Sequence, residues 1–74
     1  MKTKTININI VGDVLLLDLD GKKYSFQLNE ISKRLERATE LEKNTFVISP
    51  SGYGIHWPLL DEDISIPALI KMIL

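Results

Sequence analysis

The residues best suited to chemistry lie in one short stretch, residues 49–65. This stretch holds the only histidine of the chain, His56, its only tryptophan, Trp57, and three consecutive acidic residues, Asp61, Glu62 and Asp63. An imidazole can act near neutral pH as a base or a metal ligand, and carboxylates are ligands that magnesium prefers. The stretch is therefore the candidate functional surface of this chain.

A metal-assisted or histidine-dependent enzyme would use His56, Asp61 and Asp63. Such an enzyme also needs a nucleophile or a group that stabilises developing charge, and no phosphate-binding loop or second acidic cluster accompanies the three carboxylates. A simpler interpretation is that the carboxylates interact with the dipole of the helix that follows, and that His56 is a hydrogen-bonded structural residue. We therefore expect no catalytic residue, no metal and no cofactor.

The two aromatic residues of the stretch, Tyr53 and Trp57, fall on one face of a predicted strand. This spacing favours a place in the core over a ligand cage. Trp57 stands beside Pro58 at the end of the strand, where we expect it to be half covered. Half-covered aromatic side chains often anchor protein interfaces, so these residues, with His56 and the acidic residues 61–63, are candidates for protein binding.

Composition limits the classes of function. A chain of 74 residues is one small domain, residues 1–74, which is only marginally stable without help. The absence of cysteine excludes disulfides and thiolate metal sites and fits a reducing compartment, and a single histidine makes a structural zinc site unexpected. A partner chain, identical or different, is the remaining source of stability.

Charge and hydropathy argue against nucleic acid and membrane partners. The net charge is −1, and the small basic patch of Lys33, Arg34 and Arg37 is interleaved with glutamates, so direct nucleic-acid binding is not expected. No apolar run has membrane-spanning length, and the first residues do not form a signal peptide. We expect a soluble cytoplasmic protein.

The pattern of the first 28 residues predicts an antiparallel meander. Isoleucines alternate with polar residues along the first of three strands, 4–10, 13–19 and 22–28, and Asp20-Gly21 is a two-residue turn. The second strand is apolar on both faces, so it should be central or covered on its second face. Strands 45–49 and 53–57 are expected to join the same sheet. A partly open β-barrel decorated by helices is the alternative architecture.

Two or three short helices complete the expected α+β fold. Asn29 is the predicted N-cap of the first helix, and Thr39-x-x-Glu42 has the spacing of a capping box, which predicts a new helical turn. The last helix should begin after Ser65. Its residues are mostly apolar, which is more than a single stripe requires: Ile66, Leu69, Ile70, Met72, Ile73 and Leu74. This helix is either sandwiched inside the fold or covered by another chain through Ile70, Ile73 and Leu74.

Residues 52–65, Gly-Tyr-Gly-Ile-His-Trp-Pro-Leu-Leu-Asp-Glu-Asp-Ile-Ser, closely resemble the signature of a bacterial family called domain of unknown function 2442. The resemblance is strongest over residues 38–70 and extends to the N-terminal meander with its Asp-Gly turn, although the C-terminal end departs from the family pattern. It implies an α+β fold without an established activity. Relatives are often encoded beside another small protein, or fused to a helix-turn-helix domain, and this pairing suggests toxin–antitoxin modules.

The favoured hypothesis is a non-catalytic protein-binding module, the antitoxin-like partner of a small protein encoded next to it, or a homo-oligomer formed through the last helix. One alternative is a small ligand-sensing or dimerisation domain of a transcription regulator that lacks its DNA-binding half, which would need a concave pocket near Trp57. The least favoured alternative is the metal-assisted enzyme described above.

Overall fold

The computed structural model describes residues 6–73, and within this range the chain forms two three-stranded antiparallel sheets and four short helices. The elements in chain order are β1 (Ile6–Val11), β2 (Val14–Leu19), β3 (Lys22–Gln27), α1 (Leu28–Ile31), α2 (Lys33–Glu36), α3 (Glu40–Asn44), β4 (Val47–Ile48), β5 (Gly54–Trp57), β6 (Glu62–Ser65) and α4 (Ile66–Lys71). The α+β class is confirmed. The expectation of one continuous sheet is wrong, because β4 and β5 pair with each other and with β6 instead of joining the meander.

The N-terminal sheet, β1-β2-β3, is held by two tight turns. Gly12, Asp20 and Gly21 have φ angles of 60°, 52° and 90°, which are the positive values that two-residue hairpin turns require. The predicted central place of β2 is confirmed, but its second face is not covered, since Leu16 remains 40% exposed. The inner face of this sheet carries the buried residues Ile10, Leu15, Leu17 and Phe26.

The helical segment between the sheets differs from its prediction. The first helix begins one residue after Gln27, so the predicted N-cap at Asn29 is wrong and that residue lies within the helix. The segment then breaks at Ser32, whose backbone is extended and whose hydroxyl accepts a hydrogen bond from the Leu35 N–H. Ser32 therefore starts a second helix where the sequence pattern predicted one continuous helix.

The capping box at the start of α3 is confirmed. The Thr39 hydroxyl accepts from the Glu42 N–H at 3.2 Å, and the Glu42 carboxylate accepts from the Thr39 N–H at 2.8 Å. These two bonds satisfy backbone donors that the helix itself leaves free. Lys43, in the same helix, lies toward the core and is only 6% exposed.

The C-terminal sheet, β4-β5-β6, faces the core with Ile55, Trp57 and Ile64. The strand β6 was not among the predicted strands, and its acidic residues are of a type depleted in strands. It is formed nevertheless, since Ile64 pairs with Ile55 on the buried face. Of the helices within residues 6–73, none is both long and apolar enough to cross a membrane.

Trp57 is the largest fully buried side chain, with no exposed surface. Its indole Nε1 donates to the Lys43 carbonyl at 3.0 Å, and its ring lies 5.9 Å from that of Phe46. The expectation that Trp57 is half covered is therefore wrong. The other end of Lys43 reaches the N-terminal sheet, where Nζ donates to the Gly12 carbonyl at 3.2 Å and lies 3.8 Å from the Asp13 carboxylate.

Candidate functional site

The three consecutive acidic residues do not form one cluster. Asp61 lies in the turn before β6 with a φ of 51°, and its carbonyl accepts from Arg34. Because side chains alternate along a strand, Glu62 faces inward and accepts from the Ser32 hydroxyl, whereas Asp63 faces outward. Within residues 6–73 there is no group of three or more side chains that could hold a metal ion.

The proposed interaction of these carboxylates with a helix dipole is also wrong. The first turn of α4 has no acidic residue, and the helix is capped by Ser65, whose hydroxyl accepts from the Ala68 N–H at 3.3 Å. The predicted cap at Ser65 is thus confirmed. Asp61 is positioned by the turn before β6, and Glu62 and Asp63 are positioned by the strand itself.

His56 and Asp63 are neighbours across β5 and β6. The His56 Nδ1 lies 2.7 Å from the Asp63 Oδ1, and the two side chains are 45% and 76% exposed. The predicted hydrogen-bonded state of His56 is confirmed. This contact involves only the Nδ1 atom of the ring. An exposed pair of this kind contributes little to the free energy of unfolding, about 0–1 kcal/mol.

An open depression lies around this pair on the outer face of the C-terminal sheet. Its volume is about 530 Å³, and its lining residues are Val47, Ser49, Tyr53, Gly54, Ile55, His56, Asp63, Ile64 and Ser65. Gly54 pairs with Ser65 and has no side chain, so no side chain at this position fills the depression. The ligand-sensing alternative requires a concave pocket near Trp57. The depression lies beside His56, the neighbour of Trp57 in sequence, but on the opposite face of β5 from the Trp57 side chain, which is in the core.

Tyr53 is 67% exposed, which corrects the expectation that it belongs to the core. It precedes β5, and its carbonyl accepts from the Ile66 N–H at 2.8 Å, which attaches the start of α4 to this end of the sheet. Tyr53 lines the depression on one side. On the other side it lines a cavity beside α4.

The helix α4 is both a core element and an exposed one. Ile66 and Leu69 are 4% and 1% exposed, and Ile73 and Met72 are 45% and 51% exposed. Ile70 lies between these extremes and lines a cavity of about 280 Å³ together with Ile6, Leu19, Asp20, Gly52, Tyr53, Ile66 and Pro67. Tyr53, Ile70, Met72 and Ile73 are termed the α4 surface below. The other candidate of this helix, Leu74, lies outside the described residues.

Two comparisons place the chain among known proteins. The profile of a family described as "Protein of unknown function (DUF2442)" matches residues 6–73. The chain belongs to this family. A crystal structure of a protein of unknown function from Rhodospirillum rubrum ATCC 11170 is similar to this DUF2442 chain, with a TM-score of 0.70, 25% sequence identity, and coverage of 96% of this chain and 89% of the other. No curated protein matches it.

Some site residues of this DUF2442 chain were not predicted from sequence. Val47, 58% exposed, lies across from His56 and forms one wall of the depression. Its outward direction follows from alternation with the inward Phe46 and Ile48, which was the available signal. No local sequence pattern predicted the cavity beside α4, because its lining residues are distant in sequence and include Ile6, Gly52 and Pro67.

Proposed function

We propose that this DUF2442 chain is a non-catalytic protein-binding module that holds its partner on the α4 surface. The observation that carries the proposal is that three large side chains, Tyr53, Met72 and Ile73, are 67%, 51% and 45% exposed. Aromatic residues and methionine are enriched in protein interfaces. Each of these side chains would be stabilised by burial against another chain, since a fully buried apolar side chain contributes about 1.5–3 kcal/mol.

The cavity beside α4 supports a protein partner over a small molecule at this surface. Its volume of about 280 Å³ is at the lower limit of the roughly 300–1,000 Å³ typical of ligand pockets. A cavity of that size suits a single anchoring side chain of a partner, which is the usual way that a few residues supply most of an interface's binding energy. The surrounding residues, Ile6, Leu19 and Ile70, favour an apolar anchor.

The partner is proposed to be a small protein encoded by a neighbouring gene, with this chain acting as its antitoxin-like counterpart. This finer assignment rests on the family resemblance and not on the geometry of the site. It leads to two separable readouts. Physical association tests the binding module, and the rescue of growth inhibition caused by the neighbour tests the antitoxin-like role.

The deciding experiment is co-expression with the neighbouring protein, an affinity tag on one chain, and co-purification. We expect Tyr53→Ala and Ile73→Asp to reduce the recovered partner at least tenfold, which corresponds to about 1.4 kcal/mol of binding free energy. Leu41→Asp is the matched control, because Leu41 is 71% exposed but lies on α3. Absence of association with the unmodified chain, or equal loss with Leu41→Asp, would contradict the proposal.

A second candidate is ligand or metal binding in the depression around His56 and Asp63. The observation in its favour is the 2.7 Å contact between these residues at a concave surface, an arrangement in which a carboxylate orients an imidazole. NMR titration of the His56 ring with magnesium, manganese and zinc separates this candidate from the first. Specific shifts of the ring signals that disappear in Asp63→Asn are expected for a site, whereas ring signals insensitive to all three ions would leave the metal-assisted enzyme without support.

A further inference from the structure

The four strands at the edges of the two sheets differ in how well they are protected from pairing with another chain. Natural edge strands are protected by charge, by short length or by covering elements. β3 begins with Lys22-Lys23, β6 contains Glu62-Asp63, and β4 is only two residues long. β1 is six residues long, has the sequence Ile-Asn-Ile-Asn-Ile-Val and carries no charge.

The register of the first hairpin defines which backbone groups β1 presents at its edge. A two-residue turn brings its flanking residues, here Val11 and Val14, into a pair that exchanges both backbone hydrogen bonds. Because such pairs alternate with pairs that exchange none, Asn7 and Asn9 also bond to β2. The N–H and C=O groups of Ile6 and Ile8 therefore point away from β2, toward the outer edge of the sheet.

Part of this edge is accessible. Ile10 is 5% exposed, and α3 packs against β1, so the end of the strand near the turn is covered. Ile6 and Ile8 are only partly buried, and Asn7 and Asn9 are exposed. The accessible part thus runs from Ile6 to Asn9, where the inner-face isoleucines are incompletely covered.

We propose that two copies of this chain pair antiparallel through their β1 strands. A strand added at this edge must place apolar side chains over the core and polar side chains on the open face. β1 of a second copy meets this requirement, because its isoleucines and asparagines alternate. When isoleucine pairs with isoleucine and asparagine with asparagine, all the isoleucines lie on the core face and all the asparagines on the open face. No charge on either strand opposes the approach. The pairing does not rest on the function proposed for the α4 surface, although the Ile6 side chain also lines the cavity beside α4.

Cysteine cross-linking tests this arrangement directly, since the chain has no cysteine of its own. In the proposed pairing, Asn7 and Asn9 fall in pairs without hydrogen bonds, where Cα atoms lie about 4.5 Å apart, a distance that a disulfide can span. We expect Asn7→Cys alone, Asn9→Cys alone or an equal mixture of the two to form a reducible dimer under mild oxidation. The control is Ser25→Cys, which is exposed on the same face but lies on β3.

Sedimentation equilibrium supplies the reversible measurement. The apparent mass of the unmodified chain should rise with concentration from 8.4 kDa toward twice that value. Ile8→Pro removes an outward N–H without removing a bond to β2, so it should keep the β-sheet circular dichroism and lose the dimer, while Ile73→Asp should keep the dimer. A monomer at every concentration, or cross-linking of Ser25→Cys as rapid as that at positions 7 and 9, would overturn the proposal.

Discussion

Trp57→Ala should leave the chain largely unfolded at 25 °C. The indole has no exposed surface and packs against Phe46, and truncation of a buried tryptophan to alanine costs about 3–5 kcal/mol. The substitution also removes the donor to the Lys43 carbonyl, which adds the cost of a buried acceptor without its partner. The free energy of unfolding of a small protein is roughly 0.05–0.15 kcal/mol per residue, so for a chain of this size the total is of the same order as that loss.

The measurement is urea denaturation followed by far-ultraviolet circular dichroism, because the variant has lost the only tryptophan for fluorescence. Trp57→Phe should fall between the unmodified chain and Trp57→Ala, since it keeps most of the packing and loses the N–H donor. Tyr53→Ala, at a position 67% exposed, should change the free energy of unfolding by less than about 0.5 kcal/mol. A Trp57→Ala protein with an unchanged transition midpoint would show that the tryptophan does not hold the core together.

Aspartate substitutions on opposite faces of α4 should have opposite outcomes. Leu69→Asp should unfold the protein, because Leu69 is 1% exposed, its burial contributes about 1.5–3 kcal/mol, and a buried unpaired carboxylate costs several kcal/mol more. Ile73→Asp should leave the fold intact with a loss of at most about 1 kcal/mol, since Ile73 is 45% exposed and an acidic group near a helix C-terminus is only mildly unfavourable.

Thermal melts and the dispersion of amide signals in NMR spectra distinguish these two outcomes. Leu69→Met is the conservative control and should cost less than about 1.5 kcal/mol, because it keeps the volume and the apolar character. A folded Leu69→Asp would mean that α4 detaches from the core without consequence. An unfolded Ile73→Asp would place the whole helix in the core and remove the α4 surface as a site for a partner.

The parts of the fold that could be predicted from sequence depend on neighbouring residues. The alternation of Ile6, Ile8 and Ile10, the turn Asp20-Gly21 and the capping box at Thr39 each act within a few residues. Local hydrogen bonding and steric limits are sufficient to determine such elements. The pattern of residues 52–65 was likewise sufficient to indicate the family.

The parts that could not be predicted depend on residues distant in sequence. The buried Trp57 indole satisfies its N–H with the Lys43 carbonyl, 14 residues away, and Ser32 breaks its helix while bonding Glu62, 30 residues away. No strand was predicted at Glu62-Asp63, but the pairing of Ile64 with Ile55 stabilises one. For the candidate site, the sequence indicated His56 and Asp63 but not the cavity beside α4, whose lining comes from four separate segments.

Lys43 has a consequence for how the chain unfolds. Its carbonyl binds the tryptophan of the C-terminal sheet, and its ammonium group binds the turn between β1 and β2 in the N-terminal sheet. Separation of the two sheets would break both hydrogen bonds and expose the buried indole to water, which forfeits the favourable free energy of its burial. We therefore expect the two sheets to unfold as one cooperative unit, with amide protons of both sheets exchanging through the same opening.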